Sequence, residues 1–310
     1  MKLRDYHVWH YDVKSRFEGI RMRSARLALA TVLGASLVAG VTLSSGVAAH
    51  AASLTKCATT ITSQEIHKGI LTVATDEPAY TPWFENNKPA NGHGYESAVA
   101  YAIAGELGVS KKDVKWVVEP FDSSYIPGPK SFDFDINEIS YTAARAKAVT
   151  FSVSYYNVNQ SIVALTKDAI VKKHTPAELK TYKYGDQIGT TGLAYINTEI
   201  KPTTPPRIYS TLDQAVLALQ TKQIDAIVID TPTGQYMASA QITNKKGKSI
   251  ATQVGQFPSV GEHYGLLFAK GNKLVGCVND ALNAMKANGT LAALQKKWLG
   301  IYTSVPGIQP

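Results

Sequence analysis

Short apolar runs alternate along this chain with longer segments in which apolar residues recur every three or four positions. The short runs predict strands, and the longer segments predict amphipathic helices packed on a sheet. The predicted strands are Leu71 to Thr75, Val114 to Glu119, Phe134 to Ser140, Ser161 to Thr166, Arg207 to Tyr209, Ala226 to Ile229 and Gly265 to Ala269. The predicted helices are Glu96 to Leu107, Thr211 to Thr221, Asn272 to Ala287, and one that follows Asn288-Gly289, is capped by Thr290 and ends near Trp298. This alternation indicates α/β sheets with mostly parallel strands.

The N-terminal region resembles an export signal. A basic segment ends at Arg26, an uncharged apolar run extends from Leu27 to Val47, and the pattern Ala49-His50-Ala51 follows. This order predicts a secretory signal peptide over residues 1 to 51, cleaved after Ala51. An uncleaved membrane anchor is the alternative, because an apolar run of about 20 residues can span a bilayer. The polar residues before Arg21 do not fit a signal peptide, so translation is expected to begin at Met22.

The basic character of the chain comes partly from this region. The whole chain has a net charge of +8, but its first 51 residues hold 7 of the 32 Lys and Arg residues and only 3 of the 24 Asp and Glu residues. The remainder, about 259 residues with a net charge of about +4, is long enough for one large domain or two lobes. It has no stripe of Lys and Arg with interleaved aromatic residues, so no nucleic-acid partner is expected.

Two cysteines, Cys57 and Cys277, follow the predicted cleavage site. An even pair in an exported chain indicates one disulfide, which would join the N-terminal part of the chain to its last long helices. Two free buried thiols are the alternative. A lipid anchor on Cys57 is disfavoured, because Lys56 stands where such signals need a small residue. Neither cysteine has a CxxC or Cys/His neighbour, so neither a metal nor a cofactor is expected.

Two isolated charges lie at the ends of predicted strands. Arg145 follows one apolar run, and Asp230 ends another 85 residues later. Arginine can bind a carboxylate through two parallel hydrogen bonds and aspartate can accept from an ammonium group, so the pair suits the backbone charges of one free amino acid. Ligands of open α/β sheets bind beyond the carboxyl ends of the strands, where both residues lie. The alternatives are a surface helix arginine and, for Asp230, the N-cap of a helix through Thr233.

These segments also carry a resemblance to a known family. Between about Thr60 and Ile301, the chain resembles the family 3 extracellular solute-binding proteins, the amino acid receptors of ABC importers. The similar segments, in order, are GILTVATDEPAYTPWF, GYESAVAYAIAGELG, ISYTAARAKAVTFSVSYY, IGTTG, IDAIVIDTP and CVNDALNAMKANGTLAALQKKWLG. Each is weak alone, but their number, order and spacing make the resemblance strong.

The resemblance implies a two-lobed, type II periplasmic-binding-protein-like fold of the Venus-flytrap kind, with two hinge crossings. Lobe 1 would be discontinuous, residues 52 to 159 with 264 to 310, and lobe 2 would be the inserted residues 160 to 263. An amino acid would enter the cleft and favour the closed form, which a membrane permease recognises. The resemblance further implies a monomeric protein of the periplasm, or an extracellular one if there is no outer membrane.

The resemblance also assigns ligand-binding residues. In the T-x-x-R pattern that begins at Thr142, Arg145 would hold the ligand carboxylate, with Ala143-Ala144 in place of the usual Pro-Glu. Asp230 would bind the ammonium group, and Ser140 and Thr191 would supply hydroxyl contacts. Tyr80 would pack over the ligand side chain, or else be a core tyrosine.

Three acidic residues suggest which side chain the ligand has. Glu138 replaces a small or hydroxyl residue of the family and alternates with Ser140 along a predicted strand, so it is expected to point at the ligand. One of Asp76 and Glu77 would also face the pocket. These carboxylates would favour a cationic ligand such as lysine or arginine, unless Glu138 pairs with a lysine of its own lobe.

An enzyme on the same scaffold is the main alternative function. A lyase similar to cyclohexadienyl dehydratase needs a general acid in the cleft, and a buried Glu138 could serve. The sequence offers no second catalytic group beside it and no G-x-S-x-G motif of a serine hydrolase. A ligand-sensing module of a larger receptor is a third class, less favoured because the chain ends at Pro310. The sequence therefore favours a binding protein over an enzyme.

Overall fold

The computed structural model describes Cys57, residues 65 to 300 and residues 305 to 308 of the protein. The predicted signal peptide, residues 1 to 51, and the predicted start at Met22 lie outside the described residues. In the part of the chain that is described, no helix is both long and apolar enough to cross a bilayer.

The first sheet has five strands in the order β2-β1-β3-β10-β4. Its strands are β1 (Leu71–Thr75), β2 (Val114–Val118), β3 (Phe134–Asp135), β4 (Thr150–Asn157) and β10 (His263–Phe268). Strand β1 is parallel to β2 and β3, whereas β10 is antiparallel to β3 and β4.

A second sheet has three strands in the order β8-β5-β9, and a parallel pair, β6-β7, lies beside it. These strands are β5 (Gln160–Leu165), β6 (Gly185–Gln187), β7 (Arg207–Tyr209), β8 (Ala226–Asp230) and β9 (Ala251–Gln256). Strand β5 is antiparallel to both of its neighbours. A bridge from Tyr184 to Ala226 connects the β6-β7 pair to β8.

The prediction of mostly parallel strands is wrong for the described residues. Each parallel pair has a helix between its strands in the sequence, because a parallel connection needs a crossover segment, but helices also lie between the antiparallel partners β5 and β8. Strand β4 instead runs into β5 after only Val158 and Asn159, with no helix between them, and β10 returns antiparallel to β4. The chain thus passes between the two sheets at residues 158 to 159 and again at residues 257 to 262.

Nine α-helices surround the sheets in the described residues. They are α1 (Tyr95–Glu106), α2 (Phe121–Ser124), α3 (Arg145–Ala148), α4 (Pro176–Leu179), α5 (Thr191–Tyr195), α6 (Leu212–Gln220), α7 (Thr231–Tyr236), α8 (Leu274–Ala287) and α9 (Thr290–Leu299). Helices α5 and α7 continue as π-helical turns at Ile196–Ile200 and Met237–Gln241, and short 3₁₀ turns lie at Glu85–Asn87, Pro89–Asn91, Lys111–Asp113 and Ala169–Lys172. The four long predicted helices end within two residues of their predicted bounds.

The cap predicted for the last helix is wrong. Gly289, with φ +80°, is the N-cap of α9, and Thr290 is the first helical residue. A left-handed residue between two helices reverses the chain direction tightly, and glycine adopts this conformation without steric cost. No side-chain cap is therefore needed at this turn.

Each sheet has its own apolar core, which makes the molecule two-lobed. In the first lobe, Trp83, Tyr95 and Tyr264 are fully buried and belong to one apolar cluster. The predicted apolar stripe of α8, formed by Leu274, Val278, Ala281, Leu282 and Met285, is buried there as well. In the second lobe, residues of α6 and the strands β5 and β8 form the core.

A disulfide joins Cys57 to Cys277, with Cα atoms 5.6 Å apart, as predicted from the cysteine pair. Both sulfur atoms are thereby used, so the alternatives of free thiols and of a lipid on the Cys57 sulfur are wrong. The bond connects the residue before the first sheet to helix α8 of the first lobe.

The C-terminal segment departs from the predicted lobe division. The backbone of Gln256 at the end of β9 accepts from Ile308 and donates to Pro306, each at 2.7 Å. Ile308 is buried in the core of the second lobe. This segment, predicted as part of lobe 1, thus pairs with the second sheet, and the other lobe boundaries stay predictions.

Candidate functional site

A cavity of about 560 Å³, part of it open to solvent, lies between the two lobes. The first lobe contributes Asp76, Tyr80, Phe121, Asn137, Glu138 and Arg145 to its wall, and the second lobe contributes Gln160, Gln187, Thr190, Thr191, Gly192, Leu212, Ile229 and Asp230. Its wall is therefore mixed, with one cationic side chain, three carboxyl groups, several amides and hydroxyls, and a few apolar surfaces.

Arg145 is the cation of this cavity. It begins α3, and its backbone N–H donates to Thr142 Oγ1 at 3.1 Å, which fixes the start of the helix. Its guanidinium donates from one NH₂ group to the Ser140 carbonyl at 2.6 Å and from the other to the Gly189 carbonyl at 2.8 Å. The guanidinium has five N–H donors, so donors remain for a ligand. Because the side chain is only 8% exposed, the alternative of a surface helix arginine is wrong.

Two aromatic rings flank the guanidinium. Its central carbon lies 4.8 Å from the ring centroid of Tyr125 and 5.4 Å from that of Phe121. Burial lowers the pKa of Arg145, but an arginine keeps its proton at any physiological pH. The aromatic faces attract this retained positive charge and hold the planar group in one orientation.

Asp230 is the buried end of strand β8, on the opposite wall. Its Oδ1 accepts from Gln160 Nε2 at 2.5 Å. Although Asp230 occupies the N-cap position of α7, its side chain makes no capping hydrogen bond, so the alternative role as a cap is wrong. Burial, followed by the negative charge of Glu262, raises the pKa of Asp230 to about 7, while Tyr264, Gln160 and Arg145 act in the opposite direction.

The two opposite charges share the cavity without bonding to each other. The guanidinium of Arg145 donates to two carbonyl oxygens, and the carboxyl group of Asp230 accepts from the Gln160 amide. No ion pair joins the two side chains among the described residues. A small dipolar molecule could therefore lie between them. Their roles as ligand anchors stay predictions.

Two further predicted residues also line the cavity. Thr191 begins α5, and its Oγ1 accepts from Gln160 Nε2 at 3.1 Å, whereas the capping hydroxyl is that of Thr190. Tyr80 is half-buried, and its hydroxyl donates to Asp213 of the second lobe at 3.0 Å. Their contacts with a ligand stay predictions, and Tyr80 also connects the lobes.

Three predicted residues are absent from the described cavity wall. The Ser140 hydroxyl donates to Glu262 Oε1 at 2.6 Å, and its carbonyl accepts from Arg145. Ser140 therefore contacts residues around the cavity without lining it. Thr142 lines a second depression, which Arg145 also lines. Glu77 is exposed, whereas Asp76 lines the cavity, so the structure selects Asp76 from the two candidates.

Glu138 lines the cavity, but not for the predicted reason. Strand β3 ends at Asp135, and Glu138 has a φ of +53°, so strand alternation does not direct its side chain. Its backbone N–H donates to the buried carboxyl of Glu96 at 2.7 Å, and its Oε2 accepts from Thr233 Oγ1 of the second lobe at 2.8 Å. The predicted alternative of a lysine partner is wrong, because the partner is this hydroxyl.

Burial shifts the acidic groups toward their neutral forms. Desolvation raises the pKa of Asp76, and desolvation together with the nearby Glu96 and Asp230 raises that of Glu138 well above its usual range. Glu96 has a pKa raised to about 8 by burial, and it accepts hydrogen bonds from Glu138 N–H and the Tyr155 hydroxyl. A positive charge placed in this cavity would lower these pKa values again.

Two residues that sequence reasoning missed organise the site. Gln160 begins β5, and its Nε2 lies within 3.2 Å of Thr191 Oγ1, Asp230 Oδ1 and Glu262 Oε1. Glu262 lies on the return passage between the lobes. Glutamine and glutamate in extended segments carry no distinctive pattern, and the available signal was their position beside the predicted lobe boundaries.

Comparison with known proteins agrees with this architecture. Residues 71 to 301 match the bacterial extracellular solute-binding proteins, family 3. The chain belongs to this family. It is 26% identical over 226 residues to the L-arginine-binding protein of Pseudomonas aeruginosa, with 72% of this chain and 85% of the relative aligned. It is 28% identical over 230 residues to the L-cystine-binding protein TcyJ of Escherichia coli K12, with 72% and 80% aligned.

A solved structure gives the same result for the fold. The ancestral amino acid-binding protein AncCDT-1, a precursor of cyclohexadienyl dehydratase, superposes with a TM-score of 0.62 at 27% identity, covering 78% of this chain and 98% of its own. The type II two-lobed fold of this family member is thus found in a binding protein that is related to an enzyme.

Proposed function

We propose that this protein binds one free amino acid in the interlobe cleft and delivers it to the permease of an ABC importer. One observation carries the proposal: Arg145 and Asp230 line the same cavity from opposite lobes and do not bond to each other. The ligand carboxylate would take the free donors of Arg145, and the ammonium group would bind Asp230. Because the anchors belong to different lobes, binding stabilises the closed cleft.

The acidic wall supports a cationic ligand side chain. Asp76 and Glu138 line the cavity with Asp230, and Arg145 is its one cation among the described residues. A lysine or arginine ligand brings a net positive charge to this surplus of carboxyl groups. Glu138 is already held by Thr233, so Asp76 is the better candidate for a direct contact.

A binding protein is supported better than a lyase. Glu138 has the raised pKa of a general acid, but its carboxyl group accepts from Thr233 at 2.8 Å. No His, Lys or Cys side chain lines the described cavity to serve as a second catalytic group. Incubation with prephenate and with arogenate is expected to yield no product, and product formation would favour the lyase.

The place of action follows from the family and the proposed export signal. A protein with this role works outside the cytoplasmic membrane, as a monomer in the periplasm or at the cell surface, where its closed form meets the permease. The predicted signal peptide would direct it there. N-terminal sequencing of the secreted protein would show cleavage after Ala51.

A ligand screen tests the proposed function. Purified protein is heated with each of the twenty L-amino acids and with L-cystine, because a ligand that binds the native state raises the melting temperature. Isothermal titration of the strongest hit then measures its affinity, with L-arginine and L-lysine expected to bind more tightly than L-glutamate. The absence of any stabilising amino acid would refute the proposal, and tight glutamate binding without arginine binding would refute the cationic preference alone.

A further inference from the structure

Glu262 lies at the return passage between the lobes and contacts both of them. It stands one residue before β10, and its Oε1 accepts from Ser140 Oγ at 2.6 Å and from Gln160 Nε2 at 3.2 Å. Ser140 belongs to the first lobe, and Gln160 is the first residue of the second sheet. One carboxylate oxygen therefore bonds to side chains from both lobes.

The two partners of Glu262 are also the partners of the two proposed ligand anchors. The Ser140 carbonyl accepts from Arg145 at 2.6 Å, and Gln160 Nε2 donates to Asp230 at 2.5 Å. A continuous path thus connects Arg145, Ser140, Glu262, Gln160 and Asp230. Neighbouring residues on this path are joined by hydrogen bonds of at most 3.2 Å. Within Ser140, the carbonyl bonds to Arg145 and the hydroxyl bonds to Glu262.

Backbone pairing keeps this path in place. Ser140 forms an antiparallel bridge with Tyr264, two residues after Glu262, and Gln160 pairs with Asp230 across β5 and β8. Ser140 and Gln160 are both buried. Loss of the Glu262 oxygen would leave the buried Ser140 hydroxyl without its acceptor, and it would remove the contact that connects Ser140 to Gln160. Gln160 Nε2 would keep Asp230 and Thr191 as acceptors.

We propose that Glu262 is a positioning residue for amino acid recognition, which fixes the spacing of Arg145 and Asp230 by bonding to Ser140 and Gln160 together. The proposal rests on the proposed function. Glu262 does not line the cavity in the described structure, so its effect on a ligand acts through the two anchors.

Because Glu262 is charged, its substitution should change the pH dependence of ligand affinity, which a role in packing alone would not do. Asp230 binds an ammonium group as a carboxylate, so affinity rises as pH increases through its pKa of about 7. Removing the Glu262 charge lowers that pKa, because one repulsive neighbour is lost. The other charged or titratable groups around Asp230 are Arg145, Tyr264, Glu138, Glu96, Asp186, Tyr156 and Tyr195. None of them changes in the substitution.

Two substitutions separate the hydrogen bonds from the charge. Glu262→Ala removes both, and Glu262→Gln keeps an oxygen that can accept from Ser140 and Gln160. The titrant is the amino acid, from the twenty L-amino acids and L-cystine, that raises the wild-type melting temperature most. We measure its affinity between pH 5 and 9. Glu106→Gln, at the end of α1, is the matched control, because it removes one carboxylate remote from the path.

The expected results differ for each variant. Wild type binds about tenfold more weakly at pH 6 than at pH 8. Glu262→Ala weakens binding at pH 8 about 10- to 100-fold. Glu262→Gln binds nearly as wild type at pH 8, with the midpoint of its pH profile moved down by about one unit. The control matches wild type at every pH.

The outcomes distinguish the two proposals. If wild type binds none of the amino acids, the proposed function fails. If wild type binds but Glu262→Ala binds equally tightly at pH 8, or Glu262→Gln has the wild-type pH midpoint, the positioning role of Glu262 is overturned while the proposed function stands. Should Glu262→Ala fail to fold, the pH midpoint of Glu262→Gln alone decides the case.

Discussion

In the proposed function Arg145 has two tasks, and they use different donors. It binds the carbonyl of Gly189 across the lobes, and it retains N–H groups that can face a ligand. Its planar group is held between two aromatic rings. Lysine could replace the charge but neither the paired donors nor the stacking.

Replacing Arg145 should therefore weaken ligand binding strongly. Arg145→Ala is expected to cost about 2 to 5 kcal/mol of binding free energy, the range for truncating one partner of a buried charge pair. Arg145→Lys should lose less, since the charge remains. Isothermal titration measures both losses, and unchanged affinity in the alanine variant would contradict the assignment.

Gly189 provides a second test at the scale of one residue. It has a φ of +75°, and a Cβ atom there would lie 2.0 Å from the Tyr125 hydroxyl of the other lobe. Gly189→Ala should thus weaken ligand affinity by about 1 to 3 kcal/mol, because the added methyl obstructs closure. Titration and thermal unfolding are measured on the same samples.

Gly247→Ala is the control for backbone strain. Gly247 has a similar φ of +73°, with no atom within 4 Å of the added Cβ. Both variants should lose some stability, but only Gly189→Ala should lose affinity. Equal affinities in the two variants would mean that the contact with Tyr125 does not oppose closure.

The residues of the site divide by the kind of signal that they leave in the sequence. Arg145, Asp230, Thr191 and Tyr80 stand in recognisable motifs, so their place in the cavity wall could be predicted. Gln160 and Glu262 have no motif, since their importance comes from chain segments that meet only after folding. Glu138 was selected because a carboxylate stands where the family has a small or hydroxyl residue. It lines the cavity even though β3, the strand that was expected to orient its side chain, ends at Asp135.

At the scale of elements, α7 joins the second lobe to the first. Its Thr233 is 1% exposed, accepts from Trp83 Nε1 at 2.7 Å and donates to Glu138 at 2.8 Å. Trp83 is itself fully buried among Tyr95, Tyr156 and Tyr264. This contact connects the lobes without using a ligand.

Thr233→Val should weaken this connection while keeping the side-chain shape. The substitution leaves the buried Trp83 N–H and the Glu138 carboxyl without their shared partner, at a cost of about 1 to 3 kcal/mol in the closed form. Ligand affinity, measured by titration, should fall accordingly. Thr221→Val is the control, because the Thr221 hydroxyl bonds to carbonyls of its own helix. If both variants bind as wild type, Thr233 does not stabilise closure.

Elements were predictable where local pattern decides them. The helices α6, α8 and α9 have clear apolar periodicity, whereas α1 is apolar around most of its circumference. Strand directions were not predictable in the same way, because helices lie between the parallel partners β1 and β2 and also between the antiparallel partners β5 and β8. Strands β4, β6 and β9 were missed since polar residues interrupt them, as in TFSVSYYN of β4 and ATQVGQ of β9.

At the scale of the whole molecule, the disulfide closes a very long loop. Cys57 and Cys277 are 220 residues apart, so the bond restricts the unfolded chain considerably. The double variant Cys57→Ser/Cys277→Ser should lose about 2 to 5 kcal/mol of unfolding free energy. Neither cysteine lines the cavity, so ligand affinity should stay close to wild type. Denaturant unfolding and titration measure the two quantities, and a large loss of affinity would contradict this separation.

The division of the chain into two lobes came from the resemblance and not from composition, because no linker marks the passages. The resemblance did not predict, however, that the C-terminal segment contacts the second lobe. Pro306 and Ile308 pair with β9 through two backbone hydrogen bonds, a contact that depends on tertiary structure alone.

This pairing limits how far the molecule can open. Leu299 lies in the core of the first lobe, whereas Ile308 lies in that of the second, so the polypeptide spans the lobes a third time. Seven residue steps from Leu299 to Pro306 can extend over at most about 25 Å. While the tail stays paired, this tether sets an upper bound on the separation of its two attachment points, whatever rotation the other two passages would allow.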